Sequence, residues 1–193
     1  MKCPAALEGH RVVLKAMEPS HADELYECGN HPDIWTYLPC RMESHRDLAE
    51  FVESALRDRE TGLDYPFVVY DKSLRRLVGS TRFLNISVPN RNLEIGYTWY
   101  TPEVWRTRVN TECKYLLLRH CFEQMKTVRV QLKADVRNVR SNNAIERIGA
   151  VREGIMRQDR ILPDGYCRSS YIYSIIDSEW PAVKLRLEPY LKA

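Results

Sequence analysis

Two stretches of this chain combine residue types and spacings that could do chemistry. In the first, the strand-like Leu93–Trp99 runs through the loop Tyr100–Thr107 into a helix expected from Thr111. A strand feeding a helix in this way leaves free backbone N–H groups at the positive end of the helix dipole. Phosphate or diphosphate can sit there without any particular side chain, although every strand–helix unit offers the same seat, so the signal is weak alone. The second stretch is Asn138-Val139-Arg140-Ser141-Asn142-Asn143-Ala144-Ile145-Glu146-Arg147-Ile148-Gly149-Ala150. Asn138 is placed to cap a helix by accepting the N–H of Ser141, Ile145 and Ile148 would face a sheet, and Gly149 would end the helix. A well-capped helix accounts for Asn138 and Gly149. It does not account for Ser141, Asn142 and Asn143, a run of small polar side chains that looks like the rim of a ligand site.

The elements that must hold these stretches can be read along the chain. Arg11–Lys15 has the pattern of a first strand. Pro19–Ser20 opens a helix to about Asn30 with Ser20 as its cap, and Ser44 caps a second helix to about Arg59, where Leu48, Phe51, Val52, Ala55 and Leu56 recur at helical spacing. Trp35–Pro39 between them is irregular and aromatic. Phe67–Tyr70 and Arg76–Asn85 are strand-like around a turn at Asp71–Leu74. In Leu93–Trp99 strict alternation predicts Leu93, Ile95, Tyr97 and Trp99 on one face and Glu94, Gly96 and Thr98 on the other. Thr111–Met125 is the strongest helix, Val128–Ala134 alternates as a strand, Val139–Ile148 is a short helix, and Val151–Asp159 and Cys167–Ile176 form a hairpin about Leu162-Pro163-Asp164-Gly165. A last helical stretch follows Ser178. This order implies one domain over residues 1–193, a mixed α/β or α+β sheet with helices on both faces.

Leu93-Glu94-Ile95-Gly96-Tyr97, the helix opening at Thr111-Glu112, and Asn138-x-x-Ser141-x-x-Ala144-Ile145-x-x-x-Gly149-Ala150 together resemble the GNAT acetyltransferase superfamily. The branch they match best holds the ribosomal-protein N-terminal acetyltransferases of the RimJ/RimL type, and the order of elements matches from about Leu7 to Ser178. The resemblance implies a mostly antiparallel sheet splayed between its fourth and fifth strands, with the co-substrate acetyl-CoA in the gap. Gly96, Tyr97, Thr98 and Trp99 would pair their backbone with the pantetheine arm. The diphosphate would sit on the amides of Arg106, Thr107, Arg108, Val109, Asn110 and Thr111, while Asn138, Ser141 and Asn142 would line the other wall.

The implied activity is transfer of an acetyl group to a primary amine, either a peptide N-terminus or a small amine. Attack requires a neutral amine, an oxyanion donor and a proton for the departing thiolate. The resemblance makes Glu94 the base, acting through a water, and a backbone N–H near Tyr97 or Thr98 the oxyanion donor. Many relatives carry a tyrosine acid after the asparagine box; here Ile145 stands there, leaving Ser141 as the nearest substitute with Tyr171 or Tyr173 behind it. Trp35–Leu38, Arg82, Phe83 and the Arg157–Tyr166 hairpin would wall the amine pocket.

The chain also departs from the family at its phosphate loop. Gln/Arg-x-x-Gly-x-Gly/Ala is replaced by Trp105-Arg106-Thr107-Arg108-Val109-Asn110, so Arg108 stands for the central glycine. If that position needs φ > 0, arginine is strained there, and Arg106 and Arg108 would compensate by pairing with phosphates. The alternative is a CoA-binding regulatory or vestigial protein.

Bulk properties agree with an ordinary globular protein. The 193 residues are 44% hydrophobic and 28% charged, and a net charge of +3 is too small to argue for a nucleic-acid protein. A ribosome- or RNA-associated module would rest on Arg137–Arg140 with Lys133. No apolar run approaches a membrane span, and MKCPAALEGHR lacks a signal-peptide core. Six scattered cysteines without a CxxC pair, and histidines without ligand spacing, argue for reduced thiols, no metal and a cytoplasmic protein. No heptad seam indicates an oligomer.

Overall fold

The computed structural model describes residues 1–40 and 42–192. Its strands are β1 (Ala6–Glu8), β2 (Val12–Ala16), β3 (Tyr65–Asp71), β4 (Arg76–Ser87), β5 (Asn92–Tyr100), β6 (Arg129–Asp135), β7 (Val151–Ile161) and β8 (Cys167–Ile176). Its helices are α1 (Ala22–Gly29), α2 (Pro32–Trp35), α3 (His45–Glu60), α4 (Val109–Arg119), α5 (Val139–Arg147), α6 (Trp180–Leu187) and α7 (Pro189–Lys192). All eight strands form one sheet, ordered β1-β2-β3-β4-β5-β6-β8-β7. Neighbours are antiparallel except β5 and β6, which are parallel.

That parallel pair is short. Asn92, Leu93 and Glu94 pair with Arg129, Val130 and Gln131, and there the ladder stops. The remainder of each strand, Ile95–Tyr100 and Leu132–Asp135, diverges and leaves a gap in the sheet. The split therefore lies between the fifth and sixth strands rather than the fourth and fifth, because three-residue β1 precedes the first expected strand. A run as short as Ala6–Glu8 carries no readable alternation.

Two apolar layers sandwich the sheet. On one side α4, α6 and α7, with Ile145 and Ile148 at α5, bury Phe83, Leu93, Ile95, Val130 and Leu132. On the other, α1, α2 and α3 pack Leu25, Trp35, Phe51 and Val52 over Val68 and Leu77. Ser44 caps α3 as expected, its Oγ accepting from the Asp47 N–H at 3.2 Å. Ser20 does not cap α1: it lies inside a 3₁₀ turn, Pro19–His21, where the Glu18 N–H donates to His21 Nδ1. Trp35, expected in an irregular segment, ends the single-turn α2.

The strict alternation expected of β5 also fails, with consequences for the site. Leu93 and Ile95 do face α4, but Trp99 is buried in the α1–α3 layer, and Tyr97 packs there too. The cause is a β-bulge. Arg82 pairs with Gly96 and Ser80 with Trp99, so Tyr97 and Thr98 together oppose Thr81, with Tyr97 at φ 46°. One extra residue reverses every side chain beyond it. Alternation alone could not reveal this, since Tyr97 and Trp99 are equally apolar on either face. Among the described residues, no helix is long and apolar enough to cross a membrane.

Candidate active site in the split sheet

A cleft of about 820 Å³ occupies the gap between β5 and β6. Glu94 stands at its closed end, in the last paired register of the two strands. Only 6% of Glu94 is exposed; its Oε2 accepts from Gln131 Nε2 and forms an ion pair with Lys133 Nζ, each at 3.1 Å. The side-chain alternation of β6 explains these partners. Val130, Leu132 and Ala134 are buried in the core, which turns Gln131 and Lys133 toward the carboxylate. Beyond Glu94, the edge of β5 that faces β6 has no strand partner, so its backbone groups border the cleft.

The opposite end of the cleft is cationic. Arg106, Thr107 and Asn110 line it where α4 begins, and Arg140 and Arg147 line it from α5. Asn110 and Thr111 occupy the first helical turn, where an N–H has no intrahelical acceptor. Arg147 donates to Thr111 Oγ1 at 3.1 Å, and the Arg140 guanidinium stacks 3.6 Å from the Trp105 ring. Arg137, the other arginine of that stretch, is bound to Asp135 and stacked on Tyr166. Arg137 and Arg140 are thus each engaged with neighbouring side chains.

The loop before α4 does hold a left-handed residue, but not at Arg108. Arg106 has φ 61°, whereas Arg108, the helix N-cap, has φ −76° and ψ −5° in the ordinary right-handed region. Arg108 is therefore unstrained, and its side chain is not among those lining the cleft. The compensation expected of it is withdrawn; Arg106 carries both the strain and the cleft-facing charge.

Of the other expected site residues, Tyr97, Thr98, Trp99, Asn138 and Ser141 border the cleft. Trp99 does so beside its backbone, since its ring is buried against Trp35. Asn138 caps α5, its Oδ1 accepting from the Ser141 N–H at 3.0 Å. Val109 is fully buried in the core, Thr111 is buried under Arg147, and neither lines the cleft. Asn142 is buried too. Its amide donates to the carbonyls of Asp135 and Asn138 at 3.0 and 2.9 Å, and its Oδ1 accepts from Tyr173 at 3.0 Å. It braces the turn between β6 and α5 instead of meeting a ligand. Gly96 is explained by packing, because a Cβ there would lie 2.6 Å from Leu84 Cδ1.

Tyr171 and Tyr173 are not acids in reserve. Tyr173 is fully buried, donates to Asn142 and Glu146, and has its phenol pushed up to about 12 by burial. Tyr171 packs under Arg152 outside the cleft. In the acceptor wall, Tyr37, Leu38, Asp159 and Arg160 are present. Arg82 and Phe83 are not: Phe83 is in the core, and Arg82 is buried between the rings of Phe51 and Tyr97.

Lys114 and Arg147 were not expected in the site, and Lys133 was not expected beside Glu94. Lys114 lies one turn after Asn110 on α4, a spacing that was available; for Arg160, within the hairpin expected to wall the pocket, the donation from Nη1 to Tyr97 Oη at 3.3 Å had no local signal.

The comparisons with known proteins bear on this geometry. The acetyltransferase (GNAT) domain family matches residues 11–151. The chain belongs to the GNAT acetyltransferase family. It is 26% identical over 170 residues to the ribosomal-protein-serine acetyltransferase of Escherichia coli (strain K12), covering 86% of this chain and 93% of that protein. A GCN5-related N-acetyltransferase from Brucella melitensis superposes with a TM-score of 0.89 at 26% identity, over 99% of this chain and 87% of that one. The fold is shared also with RimL, the ribosomal L7/L12 alpha-N-protein acetyltransferase, with a TM-score of 0.79 at 20% identity, over 89% of this chain and 93% of that one. This GNAT protein is an N-acetyltransferase of the RimJ/RimL-like group.

Proposed function

We propose that this enzyme moves an acetyl group from acetyl-CoA to a primary amine, on a peptide N-terminus or a small amine, by direct transfer. The observation that carries the proposal is the end of the β5–β6 ladder at Glu94 and Gln131, which leaves an open edge of β5 leading from a carboxylate to a cationic helix N-terminus. Pantetheine would continue the sheet along that edge, and the diphosphate would meet the first turn of α4 together with Arg106, Arg140 and Arg147. Asn110 and Thr107 border the same seat.

Glu94 acts as the base through a water, removing the proton that the amine must lose as it attacks. Lys133 and Gln131 hold the carboxylate at the apex of the gap. The bulge at Tyr97 and Thr98 takes backbone N–H groups out of the ladder, where one can donate to the thioester oxygen as it becomes an oxyanion. Ser141 faces these groups from α5 and hydrogen-bonds the departing sulfur. The acceptor enters past Tyr37, Leu38 and Arg160.

A thiol-release assay with acetyl-CoA across a panel of N-terminal peptides and small amines tests this reading. Saturable, amine-dependent CoA release is expected. Tight CoA binding with no turnover on any amine would instead make this a CoA-binding protein without transferase activity.

A further inference from the structure

Among the described residues, Lys114 is the one buried cation of the cleft that the mechanism above leaves unused. It projects from the second turn of α4, is only 5% exposed and lines the cleft. Its Nζ donates to Thr98 Oγ1 at 2.7 Å, and Thr98 Oγ1 lies 2.8 Å from Thr81 Oγ1. No carboxylate lies within ion-pair distance of it among the described residues. Burying an uncompensated ammonium is costly, and a core position on an apolar helix is otherwise filled by leucine, as at Leu117 and Leu118.

The same position sets its acidity. Burial pulls the ammonium down to about 8 from an ordinary 10.5. Among the described residues its one titratable neighbour is the Cys113 thiol, which burial pushes up to about 12, against the lowering effect of Tyr100, so that it stays neutral. Glu112, next on the helix, is turned away and accepts from the Arg11 N–H. From the sheet, β5 and β4 present only the hydroxyls of Thr98 and Thr81. Glu94, Lys133, Arg106 and Arg147 are among the charged groups that line the same cleft.

A reaction in this cleft requires a proton at the sulfur, and Ser141 has no acid behind it. Its Oγ has no hydrogen-bond partner among the described residues, so it can hold a sulfur but not deliver a net proton. Thr98 differs. If its oxygen accepts from both Lys114 and Thr81, its own O–H points into the cleft. We propose that Lys114 and Thr98 form the proton relay of the leaving group, Thr98 touching the thiolate and Lys114 resupplying it. This deepens the acetyl-CoA reading above and rests on it. As the C–S bond of the tetrahedral intermediate breaks, its electron pair stays on sulfur. The Thr98 hydroxyl passes its proton to the sulfur and takes one from the Lys114 ammonium, giving CoA–SH and a neutral amine that solvent reprotonates. An ammonium near 8 is well matched to an alkyl thiol of about 8.5.

The test compares Lys114→Met and Thr98→Val with the parent on two donors, acetyl-CoA and acetyl-seleno-CoA, whose selenolate leaves without needing a proton. With acetyl-CoA, kcat of Lys114→Met should fall about 100-fold at pH 7, with KM for the donor unchanged. The parent's decline in kcat as pH rises through about 8 should vanish in the variant. On the selenoester, variants and parent should agree within about threefold. Thr98→Val should show the same donor-dependent loss, and Thr98→Ser should restore the parental rate; this pair decides the matter if Lys114→Met does not fold. Equal losses on both donors, or parental rates with acetyl-CoA, overturn the relay while leaving the transferase reading intact. A parent enzyme inert toward every amine overturns the transferase reading itself.

Discussion

Replacing Arg106 by glycine and, separately, Arg108 by glycine separates backbone strain from charge in the loop before α4. A non-glycine residue in the left-handed region costs roughly 1–2 kcal/mol, and Arg106 sits there at φ 61°. Glycine removes that cost but adds roughly 0.5–1 kcal/mol of unfolded-chain entropy. Arg106→Gly should therefore be more stable than the parent by about 0.5–1 kcal/mol. At Arg108, φ −76° and ψ −5° leave no strain to relieve, and an N-cap tolerates glycine, so Arg108→Gly should be neutral or lose about 0.5 kcal/mol. For a chain of this length, the two variants should melt about 2–4 °C apart, with Arg106→Gly the higher. Ligand binding should move the other way. Arg106 lines the cationic end of the cleft and Arg108 does not, so CoA should bind Arg106→Gly about tenfold more weakly and with a shallower salt dependence. Arg108→Gly should bind as the parent does. Thermal unfolding with calorimetric CoA titration at two salt concentrations reads all four values. Stabilisation of Arg108→Gly instead, or a loss of CoA affinity in that variant, would refute this placement of strain and charge.

Glu94→Gln should lower kcat by about 100-fold or more in the thiol-release assay while KM for acetyl-CoA stays put, because the amide keeps the shape but cannot take a proton. A parental kcat would remove Glu94 from the base role. Asn142→Ala strips two donors from the turn after β6 and leaves Tyr173 with only its 3.4 Å contact to Glu146, so urea unfolding should show a loss of about 1–3 kcal/mol. A loss under 0.5 kcal/mol would mean that the turn is held by something else. Lys114→Met should also alter the pH dependence of stability. Below about pH 8 the parent's ammonium is charged in both folded and unfolded states, so the folded state bears the full burial cost, roughly 3 kcal/mol for a depression from 10.5 to about 8. Between pH 8 and 10.5 the unfolded chain binds the extra proton, and parental stability rises relative to the variant. Urea melts of both at pH 7, 9 and 10 should show the gap narrowing; a constant gap contradicts the assignment.

Much of this protein is local and so was open to reading from its residues. Ser44 before an amphipathic run, Asn138 three residues before Ser141, and Gly149 at φ 97° are determined by hydrogen bonds and sterics within a few positions. The alternation in β6 is local in the same sense, and with it the direction of Gln131 and Lys133. The family and the idea of an opened sheet followed from three such motifs in order. What tertiary structure alone decided is where neighbouring chains stop agreeing. The bulge that turns Thr98 toward Lys114 exists because two residues of β5 share one partner on β4, and no pattern within β5 reveals the count on another strand. The left-handed residue fell on Arg106, not Arg108, because the start of α4 had first to be placed at Val109. Likewise Asn142 and Tyr173, which look like polar residues waiting for a ligand, use each other across a buried turn, and only a fold that brings together residues 31 apart could assign them there.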